Sequence, residues 1–219
     1  MIKKNLNVHE INTRIKQEIC YETLNKLKDE SLMNQYKECS SVKNRIESLC
    51  QVLEKHTNSD SIDNIIQDYL PELIPAGTKG VIRGNQFNYI VKDFINNLAL
   101  DKAQYKICFE SRCQGISTNE IPDWYIMDKK SKKIIIGMNQ LDLWGGGQQL
   151  NRGYSYIEGN KHNNPKSKLL CVVCKEIQFK NDKNKAYTLF KTGFENNTLC
   201  YLNNLEHIIK SFFSNSTVG

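Results

Sequence analysis

Ile121-Pro122-Asp123-Trp124-Tyr125-Ile126-Met127-Asp128-Lys129-Lys130-Ser131-Lys132-Lys133-Ile134-Ile135-Ile136-Gly137-Met138-Asn139-Gln140-Leu141-Asp142 is the most informative stretch of the chain. Trp124 to Met127 and Lys133 to Asn139 are short runs, apolar and in part aromatic or β-branched, and such runs predict strands. Asp128-Lys129-Lys130-Ser131 between them predicts a hairpin turn. A Pro-Asp at the start of one strand, answered by polar residues at the end of its antiparallel neighbour, brings those side chains to one rim of a sheet.

Working outward, Tyr105 to Glu110 predicts a further strand ahead of the hairpin. Before it, Phe87, Val91, Phe94, Ile95 and Leu98 share one helical face, which predicts an amphipathic helix from Asn85 to Leu100 packed on the sheet. After it, Gly145-Gly146-Gly147 opens a helix through Tyr156, Leu169 to Cys174 reads as a buried strand, and Leu202 to Phe213 reads as a helix. The predicted order is helix, three strands, helix, strand.

Upstream, apolar residues recur at helical spacing from Val8 to about Lys55, as in Ile11, Ile15, Ile19 and then Ile46, Leu49, Leu53, with a break at Asp29-Glu30-Ser31. Asn58-Ser59-Asp60-Ser61 offers a cap to a helix through Ile62, Ile65, Ile66 and Tyr69, which Pro71 and Pro75 are expected to end. The Pro- and Gly-containing stretch to Gly84 reads as a connecting loop. The expected organisation is a helical region over residues 1–76 and an α/β core, a mixed sheet flanked by helices, over residues 77–219.

With 219 residues, 39% hydrophobic and 25% charged, the chain can bury a core and is near the usual size of one domain. No apolar run approaches the roughly 18 to 20 residues of a membrane helix, and the N-terminus lacks the apolar stretch of a secretory signal, so a soluble cytoplasmic protein is expected, with no membrane partner. The formal charge of +6 favours an anionic partner. Eight cysteines at irregular spacing in a chain of this length read as reduced thiols. The one C-x-x-C, Cys171 and Cys174, lies in an apolar strand, where side chains three apart point to opposite faces and cannot close one zinc site. His9, His56, His162 and His207 are scattered, without the pairing of a zinc enzyme. No repeat or low-complexity tract stands out, which removes solenoid and linker readings.

A rim holding Asp123 and the polar end of the next strand suits a hard divalent cation, which takes oxygen ligands and keeps several waters. Here, over roughly Gly77 to Lys180, the chain resembles the PD-(D/E)xK nuclease superfamily, whose common core runs helix, three strands, helix, strand. The resemblance implies a restriction-endonuclease-like core, with Asp123 as a metal ligand and a following strand carrying an acid, one spacer and a Lys. No Asp/Glu-x-Lys occurs from Ile134 to Trp144. Two registers are open: Met138-Asn139-Gln140 puts Gln140 where the family has Lys, and Gln140-Leu141-Asp142 keeps a carboxylate, Asp142, at that place. Gln140 belongs to both. A second acidic ligand is sought in Glu110 or Glu120.

Leu143-Trp144-Gly145-Gly146-Gly147-Gln148-Gln149-Leu150-Asn151-Arg152 combines glycines that admit close approach of a phosphate with a helix start. Gln148, Gln149, Asn151 and Arg152 are suited to phosphates or base edges. The segment Gly77 to Asn88 is similar to the entry of the first core helix of many restriction enzymes, with Gln86 or Asn88 where an acid often lies. Lys79 and Arg83 are expected to meet phosphates, with Gln86 beside them, and Asn85 to cap the helix. A G-x-x-x-x-G-K-[ST] loop is absent there, which excludes the nucleotide-hydrolase reading. The resemblance implies a Mg²⁺-dependent Type II restriction endonuclease acting on double-stranded DNA as a homodimer, with Asp123, Gln140 and Asp142 as catalytic residues and Asp123, Gln140 and Glu110 as metal ligands. A structure-reading repair nuclease and a DNA-binding protein without catalysis on the same core are the alternatives.

Overall fold

The hairpin lies near the middle of the sheet. In the computed structural model, residues 8–113, 121–141, 147–158, 165–174 and 185–214 are described. Strands β2 (Trp124–Asp128) and β3 (Ile134–Gln140) pair antiparallel, with Trp124 opposite Gly137 and Met127 opposite Ile134. Their turn is built by Asp128, whose Oδ1 accepts the Lys130 and Ser131 N–H groups at 2.8 and 3.0 Å. Lys132 closes it in the left-handed region at φ 60°, a conformation that glycine adopts with less strain than lysine.

Edge strand β1 (Tyr105–Phe109) pairs antiparallel with β2, from Tyr105 opposite Asp128 to Phe109 opposite Trp124. Beyond β3 lie β4 (Ser167–Val173) and β5 (Leu199–Cys200), each parallel to its predecessor. The sheet is five-stranded and mixed, in the order β1-β2-β3-β4-β5. It is flanked by helices α5 (Ala76–Asn96), α6 (Gly147–Glu158), α7 (Lys185–Glu195) and α8 (Leu202–Ser214). The expected helix, three strands, helix, strand is present as α5, β1, β2, β3, α6, β4. The α7–β5 pair is additional; two residues of strand carry too little pattern to be read from sequence.

Alternation sorts the side chains. Tyr125, Ile134, Ile136, Met138, Leu169, Cys171 and Val173 form one buried cluster with Tyr156 and Ile157 of α6 and Ala186 and Phe190 of α7. The other face carries Trp124, Ile126, Ile135, Leu170 and Val172, all at most 1% exposed. There α5 bonds β3 through Asn88 and Asn139, and α8 sets the Phe213 ring 5.0 Å from that of Tyr105. Burying both faces explains why β3 and β4 read as nearly continuous apolar runs.

The chain forms two compact units, Met1–Lys16 with Phe87–Gly219, and Gln17–Gln86; the divisions fall within α1 (Val8–Leu27) and α5. The second unit is helical. It adds α2 (Glu30–Lys37), α3 (Ser40–Leu53) and α4 (Ser59–Leu73), closed over Leu27, Met33, Val42, Leu70, Ile74 and Ile82. Asp29 caps α2 by accepting the Leu32 N–H at 2.9 Å, and Asn58 caps α4 by accepting the Ser61 N–H at 3.0 Å. At the other end of α4, Arg45 Nη1 donates to the Leu73 carbonyl at 3.0 Å, satisfying an end-of-helix acceptor.

Two expectations here are corrected. Pro71 lies inside α4 rather than ending it, because buried Leu70 and Ile74 on either side are anchored in the helical core. Gly77 to Gly84 is the first half of α5 and no loop, so Asn85 is a mid-helix residue and no cap. Pro75 starts that helix, its carbonyl accepting the Lys79 N–H at 3.1 Å. Burial of Ile82, Phe87, Val91 and Ile95 outweighs the poor helix propensity of three glycines, each costing roughly 1 kcal/mol against alanine.

Candidate functional site

Asp123 stands at the entrance to β2, next to buried Pro122 and half-buried itself. Its Oδ2 accepts the main-chain N–H of Asn139 at 2.6 Å, so the carboxylate is held by the end of β3. The β2–β3 ladder ends at the Trp124–Gly137 pair, one residue short of Asp123. The β1–β2 ladder ends at the Phe109–Trp124 pair, and just beyond it the Glu110 N–H donates to the Asp123 carbonyl at 3.0 Å. The ends of β1, β2 and β3 therefore meet at one rim, where main-chain bonds tie Asp123 to Glu110 and its carboxylate to Asn139.

Glu110 adopts φ 47° and is exposed. Left-handed backbone at a non-glycine residue costs on the order of 1 to 2 kcal/mol, and such strain gathers at functional positions. Here the strained residue is directly across from the aspartate singled out in the sequence.

Asn139, which sequence reasoning did not single out, organises the rim. Its Oδ1 accepts the Trp124 indole N–H at 2.9 Å and its Nδ2 donates to Asn88 Oδ1 on α5 at 3.2 Å. Trp124 occupies the space beside Gly137, where any Cβ would overlap the indole ring. The signal was present in the alternation, since Asn139 shares a strand face with Gly137 and Trp124 is Gly137's cross-strand partner. Of the two α5 residues expected where an acid often lies, Asn88 reaches this network, while Gln86 is buried.

Gln140 is buried on the opposite face of β3, the face of Ile136 and Met138, and its carbonyl accepts the Cys174 N–H at 3.3 Å. Met138, at the acid position of the first register, is fully buried in the apolar cluster. β3 ends at Gln140, and Asp142 and Glu120 lie outside the described residues. Gln148, Gln149, Asn151 and Arg152 fall in the first turns of α6; their side chains lie outside the described residues, as do Gly145 and Gly146. In the helical unit, Lys79 Nζ pairs with Glu72 at 3.1 Å and Arg83 Nε donates to the Lys79 carbonyl at 3.3 Å. Among the described residues, no group of three His, Cys, Asp or Glu side chains could hold a metal ion.

Four groups of this unit are pushed toward their neutral forms. A hydrogen bond with Cys108, and then burial, push the Tyr125 phenol up to about 12. Burial raises the Cys113 thiol, takes Cys174 up to about 11 and raises Cys200 further. These groups are neutral near pH 7. Cys171 and Cys174 are both buried and neither is in a disulfide. Among the described residues, no helix is long and apolar enough to cross a membrane.

Compared with known proteins, the chain matches no family model, no curated protein and no solved structure.

Proposed function

We propose that the chain is a Mg²⁺-dependent endonuclease of the restriction-enzyme kind, hydrolysing phosphodiester bonds of duplex DNA at the rim that holds Asp123. The observation that carries this reading is the main-chain bond from Glu110 to Asp123, which puts two acidic residues side by side at the strand ends of a core in the order α5, β1, β2, β3, α6, β4. That order is the one implied by the resemblance to the PD-(D/E)xK superfamily.

The donor set suits the cation. Mg²⁺ is held through one or two carboxylates, with waters and substrate phosphate completing its shell, and Asp123 and Glu110 are two carboxylates on adjacent strand ends. When bound, the ion supplies positive charge against the scissile phosphate and makes water more acidic. Asn139 fixes Asp123 through its N–H, and its amide ties that peptide to Trp124 and α5. Gln140, the last residue of β3, and Asp142, two residues further along the sequence, would complete the site. The +6 formal charge supports a polyanionic substrate, and a palindromic target would make a homodimer the natural assembly.

One observation favours a second reading. Met138, fully buried where the family carries an acid, supports a DNA-binding protein that has lost catalysis.

Purified protein incubated with long duplex DNA, with Mg²⁺ or with chelator, beside an Asp123→Asn variant separates these. Asparagine can still accept the Asn139 N–H, so the variant tests charge and not folding. Discrete fragments that need Mg²⁺ and vanish in the variant support the endonuclease. Ragged degradation points to a structure-reading nuclease, and retarded but intact DNA to the binding protein.

A further inference from the structure

The rim opposite Asp123 has its own character. Two turns meet there, residues 101–104 ahead of β1 and residues 129–132 between β2 and β3. They are pinned to each other: the Lys129 N–H donates to the Gln104 carbonyl at 2.9 Å, Gln104 Nε2 donates to Asp128 Oδ2 at 3.1 Å, and Lys129 Nζ donates to the Lys102 and Ala103 carbonyls at 2.8 and 3.1 Å. Within residues 101–106 and 128–133 stand six lysines and two aspartates, a local net of +4 in a chain whose formal net charge is +6.

Neither aspartate offsets this charge by pairing with a lysine. Asp128 is buried and accepts from the Lys130 and Ser131 main chain and from Gln104, and Asp101 Oδ1 accepts the Ala103 N–H at 2.8 Å. The lysines divide by task. Lys129 braces the two turns, and Lys133 donates to the Phe212 carbonyl at 3.4 Å and lies over the Phe212 ring. Lys102, Lys130 and Lys132 are exposed, and among the described residues no acidic side chain pairs with them. Lys132 is moreover held in left-handed backbone, where a turn of purely structural purpose would favour glycine or asparagine.

We propose that this lysine rim is a second contact surface for the backbone of duplex DNA, with Lys102, Lys130 and Lys132 on phosphates. The choice of duplex DNA over other polyanions rests on the nuclease reading. A single duplex can reach both rims by lying along edge strand β1, because five strand residues rise roughly 17 Å, about five base-pair steps. Exposed Lys106 and Arg112 border that path. The surface positions DNA without reading sequence, as phosphate contacts do.

The test is binding of a fluorescent duplex of about 30 base pairs, long enough to cover both rims, measured by anisotropy against salt in chelator. The proteins are wild type, the triple variant Lys102→Ala, Lys130→Ala, Lys132→Ala, and a control triple variant Lys28→Ala, Lys55→Ala, Lys191→Ala, which removes the same charge elsewhere. The rim variant is expected to bind roughly tenfold more weakly, with a slope of log affinity on log salt shallower by about 2.7, while the control stays within about twofold. Equal weakening in both variants would mean that bulk charge suffices and overturns the proposal. So would absence of duplex binding by wild type, or rim-dependent binding to vesicles containing phosphatidylserine with duplex binding unchanged. Cleavage is assayed separately in Mg²⁺. Rim-dependent binding without cleavage leaves this surface standing and removes the nuclease, whereas cleavage and binding unchanged in the rim variant do the reverse.

Discussion

The main-chain N–H of Asn139 donates to Asp123 Oδ2 across 2.6 Å, while the Asn139 side chain accepts the Trp124 indole N–H. One residue thus fixes the carboxylate with its backbone and the neighbouring tryptophan with its amide. Replacing Asn139 with alanine strands the N–H of Trp124, which is 1% exposed. An unsatisfied buried donor costs about 1 to 3 kcal/mol, so Asn139→Ala should lower the urea midpoint by an amount in that range. In a Trp144→Phe background the remaining tryptophan emission should shift on mutation. An unchanged spectrum and midpoint would show that this bond contributes nothing.

Glycines on β3 and α5 should respond with opposite sign. At Gly137 a Cβ would overlap the Trp124 ring, whereas at Gly84 it meets nothing within 4 Å. Gly137→Ala should destabilise by about 3 kcal/mol, the upper range for overpacking. Gly84→Ala should stabilise by roughly 0.5 to 1 kcal/mol, the ordinary gain inside a helix. Denaturant melts of the two variants check both, and a stable Gly137→Ala protein would contradict the described packing.

Glu110 permits strain and function to be separated. Glu110→Gly relieves the φ 47° backbone and should raise stability by about 1 kcal/mol, while removing the carboxylate proposed as the second metal ligand. Under the proposed function, Mg²⁺-dependent cleavage falls sharply in this more stable protein. A variant that is both more stable and fully active would remove Glu110 from the ligand set.

Asp128 should make stability fall in acid. Burial works to raise its carboxyl, but the hydrogen bonds from the Ser131 and Lys130 N–H groups and from Gln104 prevail, and the net shift is downward. A group with a depressed folded value contributes stability that is present above its unfolded value, about 3.9, and is lost as pH falls through the lower folded value. Asp128→Asn can keep the turn's acceptor oxygen but cannot titrate. Urea midpoints between about pH 5 and pH 2 should therefore drop more steeply for wild type than for Asp128→Asn. Parallel curves would mean that the turn does not favour the ionised carboxylate.

Local pattern was enough to locate the elements of the core. Period-two apolar runs, an Asp-led lysine turn and helical-face spacing place β1, β2, β3, α6, β4 and α8 within a few residues, because one buried strip per element leaves its period in the residues. The same reading singled out Asp123 from the Pro-Asp at the start of β2 and left the second acid open between Glu110 and Glu120. It misjudged Gly77 to Gly84 and Pro71, where local propensity argues for loop and break. Burial of Ile82, Leu70 and Ile74 in the helical unit decides for helix, and no local rule contains that energy. Which face each rim residue takes was settled by packing between distant segments. It turns Gln140 into the apolar side of β3, sets Asn139 between Trp124 and Asn88, and gathers lysines from two turns onto the far rim. Those placements depend on cross-strand register and on which helix covers which face, and such contacts join residues far apart in the chain that no local pattern links.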